Sequence, residues 1–168
     1  MRGQGTAFLE PACGAVNESG PAPSSVHVRD VLPERAPDGS RVHPLGRTPH
    51  GSMARFELPA GALSRAVVHA SADEIWIVVS GRGRMWRDDG RIELWTDLEP
   101  ELCVTIPRGT RFQFRCEGDE PLVAYGITMP PWSGDGDAEV VMGPWDPQFQ
   151  GNDRQEAQSG PATPGPSP

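Results

Sequence analysis

The sequence predicts an all-β fold, a small antiparallel sandwich or barrel between irregular tails. Two observations carry that expectation. From residue 53 onward, short apolar runs are broken by turn residues every 8 to 12 positions. The 3.6-residue helical period is missing, and no strand-helix-strand alternation appears.

Met53 to Leu58 alternates, placing Ala54, Phe56 and Leu58 on one face, and Pro59-Ala60-Gly61 ends it. Ser64 to His69 reads as a second strand. Glu74 to Ser80 reads as a third, bounded by Gly81-Arg82-Gly83. Arg84 to Arg87 leads into Asp88-Asp89-Gly90, a strong hairpin signal, and Arg91 to Trp95 returns from it. Leu102 to Ile106 stops at Pro107-Arg108-Gly109, Thr110 to Cys116 resumes, and Leu122 to Met129 precedes Pro130-Pro131-Trp132. Residues 1–45 and 149–168 are rich in Pro, Gly, Ser and charge, with too few apolar clusters to offset chain entropy. They are expected to be disordered N- and C-terminal tails around a barrel domain at 46–148. A domain of that size buries a core without disulfides.

Composition excludes several functions. A net charge of -8 and a pI near 4.9 disfavour nucleic acid, which needs a cationic footprint. All 15 basic residues are arginine, which suggests a GC-rich bacterial genome and excludes Schiff-base chemistry and a phosphate-binding lysine. No apolar stretch is long enough for a membrane span, and the N-terminus lacks a signal-peptide layout, so the expected compartment is the cytoplasm, with no membrane partner. Cys13, Cys103 and Cys116 give an odd count without CxxC spacing; the last two are expected to be core residues of apolar strands. Gly81-Arg82-Gly83 lacks a third glycine and a following helix, and reads as a turn.

The segment from Gly61 to Gly81 carries the chemistry. It resembles the first motif of the cupins, G(X)5HXH(X)3-4E(X)6G: Gly61, His69, Glu74 and Gly81 fall on matching positions. Pro107-Arg108-Gly109-Thr110-Arg111-Phe112 is similar to part of the second motif, G(X)5PXG(X)2H(X)3N. The likeness spans residues 50–130 and implies a jelly-roll barrel, commonly a homodimer. Two motif histidines are replaced, by Val67 and Phe112, so only His69 and Glu74 remain of three His and one Glu. Two donors hold a transition metal weakly. The expected cofactor is none, or a weakly bound divalent transition metal on His69 and Glu74.

Residues two apart on a strand share a face, so Arg65, Val67 and His69 align, as do Glu74, Trp76 and Val78, and Phe112, Phe114 and Cys116. If the interior receives all three sets, it is an aromatic pocket with one Arg, one His and one Glu, suited to a small molecule. Arg65, Trp76, Phe112 and Phe114 are the expected pocket residues, and His69 and Glu74 the expected catalytic pair. Desolvation raises the Glu74 pKa while a protonated His69 lowers it, which leaves the sign open. His27 and His43 read as solvated, and His50 is a weaker candidate for a further ligand. Trp132 and Trp145 read as covers for apolar surface, or as a lid or dimer contact.

Cupins include enzymes and non-catalytic binding domains, so the resemblance does not select an activity. The leading reading is a small-molecule-binding cupin, as a metal-independent isomerase or cyclase-like enzyme or an accessory of biosynthesis. The alternatives are a metal-dependent dioxygenase or isomerase using His69 and Glu74, and a non-catalytic ligand-binding domain.

Overall fold

Alternating apolar and polar side chains fold the chain into two antiparallel sheets packed face to face. The computed structural model describes residues 22–146. In chain order the strands are β1 (Glu34–Arg35), β2 (Arg41–Arg47), β3 (Ser52–Leu58), β4 (Val67–His69), β5 (Asp73–Ser80) and β6 (Gly83–Asp88). They continue with β7 (Glu93–Leu98), β8 (Cys103–Ile106), β9 (Arg111–Cys116), β10 (Leu122–Met129) and β11 (Ala138–Val140). Among the described residues the only helical pieces are two three-residue 3-10 turns, Val28–Asp30 and Asp135–Asp137.

The first sheet runs β1-β2-β3-β10-β5-β8 and the second β11-β4-β9-β6-β7. Period-2 alternation is clearest in β5, where Glu74, Trp76 and Val78 are buried and Ile75, Ile77 and Val79 face outward. Strand β9 sends Phe112, Phe114 and Cys116 to the same interior. One end of the barrel is filled by Leu58, Val78, Met85, Leu98, Phe114 and Leu122. Arg87 donates to the Thr105 carbonyl at 2.6 Å and to Thr96 Oγ1 at 2.8 Å, tying edge strand β8 of one sheet to edge strand β7 of the other.

The Asp88-Asp89-Gly90 signal is realised as the β6–β7 hairpin. Asp89 Oδ1 accepts the backbone N–H groups of Arg91 and Ile92, each at 2.8 Å, and Gly90 takes φ +83°. A position that sequence reading passed over is Glu101, with φ +72° the one positive-φ non-glycine among the described residues. It stands where the second cupin motif opens with glycine.

Three differences from the sequence-based expectations stand out. The expected N-terminal tail is too long: residues 34–35 and 41–47 are strands, with β2 paired to β3. Pro44 and Gly46 hide β2 as a run, but they flank a register shift where a missing N–H is tolerated. Residues 1–21 and 147–168, with Cys13, lie outside the described residues. Cys103 is exposed, because it shares the outward phase of β8 with Thr105 while Val104 and Ile106 point inward; Cys116 is buried as expected. Strand β11 was also passed over, being three residues long after a Gly- and Asp-rich turn.

Candidate functional site

The barrel end opposite the filled core holds a cavity of about 350 Å³, walled by β2, β3, β4, β5, β9 and β10 and by the residues before β2 and after β10. Its space comes from small residues set beside a large one. Trp76 is paired across the ladder with Gly126, and Gly126 with Ala54. A Cβ on Gly126 would lie 2.6 Å from Phe56 and 2.8 Å from Trp76, so glycine lets those rings stack, with centroids 4.5 Å apart and planes 16° off parallel. Phe112 meets Trp76 edge-on at 6.0 Å.

His69 and Glu74 sit at the floor. His69, the last residue of β4, is 7% exposed, and Glu74, in β5, is 3% exposed. His69 Nε2 lies 3.4 Å from Glu74 Oε1, and Trp76 Nε1 donates to Glu74 Oε2 at 2.7 Å. The imidazole leans on the Phe112 ring at 5.5 Å and takes Trp132 edge-on at 5.1 Å. Trp132 is therefore a cavity wall, pinned by its N–H donating to Ser52 Oγ at 2.9 Å and its carbonyl accepting from Arg47 at 2.7 Å. Ser52 and Thr128, hydroxyl to hydroxyl at 2.6 Å, complete the polar lining with Asp38.

Burial decides the charge state. It pushes the Glu74 carboxyl up to about 7, opposed by the Trp76 N–H and reinforced by the charges of Asp38 and Asp137. Burial also pushes His69 below the ordinary histidine value, against the pull of Asp137. The Asp38 carboxyl is likewise raised by burial, although Ser40 donates to it from N–H at 2.8 Å and hydroxyl at 2.7 Å.

Four of the expected site residues, His69, Glu74, Trp76 and Phe112, meet at the cavity. Phe114 does not line it; it lies behind Trp76, 5.3 Å ring to ring, as core. Arg65 is exposed, and lines a separate cleft with Arg35 and Arg41, because β4 begins only at Val67 and the alternation does not extend back to residue 65. His50 is exposed and outside the cavity, and half-buried His43 places Nδ1 3.2 Å from the Val31 carbonyl. Trp145 packs on the outer face of the second sheet, against Trp95 at 5.2 Å and beneath Arg115. Sequence reading missed Asp38, Asp137, Ser52 and Thr128, ordinary polar residues on segments outside either motif.

The two vacated ligand positions are direct cross-strand partners: Val67 pairs with Phe112, each 2% exposed. An apolar pair thus fills the wall where two imidazoles would converge. Among the described residues no group of three or more His, Cys, Asp or Glu is placed to share a metal ion. The donor set does not fit the four-ligand cupin centre.

A family model described as the cupin domain matches residues 54–128, the stretch from β3 through β10 that carries the cavity floor. Residues 54–128 are a cupin domain. No curated protein matches the chain. Among solved structures, Pac13 of Streptomyces, a nucleoside dehydratase also solved with uridine, is similar at 16% identity and TM-score 0.58 over 71% of this chain and 91% of that one. CapF, a capsular polysaccharide assembling protein of Staphylococcus aureus, is similar at 17% and 0.57 over 66% of this chain and 34% of that one. A Klebsiella pneumoniae protein with a double-stranded β-helix domain is similar at 15% and 0.56 over 70% and 96%. At these identities the likeness establishes the fold. No helix among the described residues is long and apolar enough to cross a membrane.

Proposed function

We propose that this cupin domain binds a small ring-bearing molecule and moves a proton on it without a metal, as an isomerase or a lyase that eliminates water. The observation that carries the reading is the buried His69–Glu74 pair, 3.4 Å apart, on the floor of an aromatic cavity whose metal positions hold Val67 and Phe112. Stacked Phe56 and Trp76, with Phe112 and Trp132, suit a flat or half-flat ring; the Ser52 and Thr128 hydroxyls and Asp38 suit its hydroxyl or carbonyl groups.

A carboxyl with a pKa of about 7 divides its time between acid and base at neutral pH, the condition for efficient proton transfer. Glu74 takes a proton from carbon next to a carbonyl. His69, when protonated on both ring nitrogens, gives its Nε2 proton to the oxygen where negative charge develops and keeps the one on Nδ1. The substrate loses one proton and gains one, so the product is a tautomer, or an alkene plus water when that oxygen is a leaving hydroxyl. Such acid–base pairs contribute roughly 10²- to 10⁴-fold in rate. The nucleoside dehydratase among the structural neighbours gives this class of reaction a precedent on the fold.

The test uses chelator-treated protein in D2O with a panel of nucleosides, keto and aldehydo sugars and cyclic ketones. Mass spectrometry then reads deuterium incorporation or loss of water. Turnover of at least one compound is expected, abolished in Glu74→Gln and His69→Ala with binding retained. Compounds that bind the wild type yet never exchange would favour the non-catalytic reading.

A further inference from the structure

We propose that Asp137 is a positioning residue for His69: its carboxylate holds the ring proton on Nδ1, leaving Nε2 as the atom that gains and loses the working proton beside Glu74. The inference rests on the proton-transfer reading above and deepens it. It begins from two buried polar atoms that lack partners. Among the described residues His69 Nδ1 and Asp137 Oδ2 are both sealed from solvent without a hydrogen bond, and they face each other across 3.8 Å. A buried orphan of this kind is costly, so two converging on one another call for an explanation. The separation is too short for a water on the line between them, and about 1 Å too long for a hydrogen bond.

Asp137 is held so that only one oxygen is free. Its Oδ1 accepts the Ser71 N–H at 3.1 Å and the Ser71 hydroxyl at 2.5 Å. Its backbone carbonyl accepts the Ala70 N–H at 3.1 Å, and its own N–H donates to the Gly134 carbonyl at 3.1 Å. The next residue, Ala138, is the cross-strand partner of His69 in the β4–β11 ladder. Four hydrogen bonds and a strand register thus aim Oδ2 at the imidazole, and a small approach with a proton on Nδ1 satisfies both orphans at once. A carboxylate that accepts one ring N–H sets the tautomer and orientation of the other nitrogen. When His69 gives up its Nε2 proton, the ring keeps the one on Nδ1 and is neutral. When Nε2 takes a proton back, Asp137 balances the charge.

The test is long-range proton–nitrogen NMR on full-length protein labelled at histidine nitrogens, at pH 6, where Glu74 is protonated and faces Nε2 as a donor, with the His69 signals assigned by their loss in His69→Phe. The wild type is expected to show Nδ1 protonated and Nε2 bare. In Asp137→Ala the ratio of Nδ1–H to Nε2–H forms is expected to fall about tenfold, as for the loss of one hydrogen bond of ordinary net strength. Ser71→Ala, which keeps the carboxylate but removes one of its anchors, is expected to give a smaller shift the same way, and serves if Asp137→Ala does not fold. A wild type with Nε2–H dominant, or variants with an unchanged tautomer, would overturn the assignment. Neither result depends on turnover, so the role of Asp137 and the proton-transfer reading fail separately.

Discussion

Glu74 imposes a measurable cost on the fold. Its carboxyl has an ordinary value of 4.5 and is pushed up to about 7 in the folded chain, so the folded state binds the proton more tightly. The stability this adds is complete below pH 4.5 and is lost as pH rises through 7, on the order of 3 kcal/mol. His69 acts in the opposite sense: its lowered value penalises the fold as pH falls below 6.5. Glu74→Gln keeps an acceptor for Trp76 and a donor towards His69. It is expected to raise Tm at pH 8 and to remove the gain in stability that the wild type shows as pH falls through 7. Calorimetry between pH 5 and 9 checks both, and an unchanged Tm at pH 8 would mean that Glu74 is not desolvated. Glu101 offers an independent check, since left-handed backbone disfavours a side chain; Glu101→Gly should stabilise by roughly 0.5–1 kcal/mol. At this scale the motif spacing and strand phase located His69, Glu74, Trp76 and Phe112. Arg65 was misplaced because a run of apolar neighbours, Ala66 and Val67, conceals where alternation starts.

At the scale of elements, the strands that alternate cleanly were legible and those built around breakers were not. Strand β5 announces itself through Glu74 to Ser80, whereas β2 contains Pro44 and Gly46 and is a strand only because β3 offers it a long partner. That hidden strand matters, since Val42, Pro44 and Gly46 form a wall of the cavity. A chain beginning at Thr48 is expected to lose ligand binding and several degrees of Tm, as judged by thermal unfolding. Binding at wild-type affinity would show that β1 and β2 do not build the site. Strand β10 depends on Gly126: Gly126→Ala would drive a methyl into Phe56 and Trp76, costing about 1–3 kcal/mol and disturbing the stack. Asp137 was not legible for a related reason. A three-residue strand, β11, brings it to His69 from a turn 68 positions away, and local sequence carries no trace of that pairing.

At the scale of the molecule, the described residues form a barrel with one end packed and a cavity at the other, and its outer surface has a second apolar feature. Met53, Ile127 and Ile75 lie in one row across β3, β10 and β5, with Ile77 and Val79 alongside, all exposed at 38–45%. The homodimer that the cupin resemblance implies would bury this face, and Ile77→Glu is expected to shift sedimentation from dimer to monomer. A monomeric wild type would remove the expectation. Metal is a property of the interior: the Val67→His, Phe112→His double variant is expected to gain a transition ion that survives mild chelation, and the wild type is expected to hold less than one per chain, as elemental analysis of both would show. The most direct test of the central claim is deuterium exchange from D2O into a bound ring compound, comparing chelator-stripped wild type with Glu74→Gln. The account predicts exchange by the stripped wild type and none by the variant at equal occupancy; exchange that appears only on adding metal, or that persists in Glu74→Gln, would contradict it.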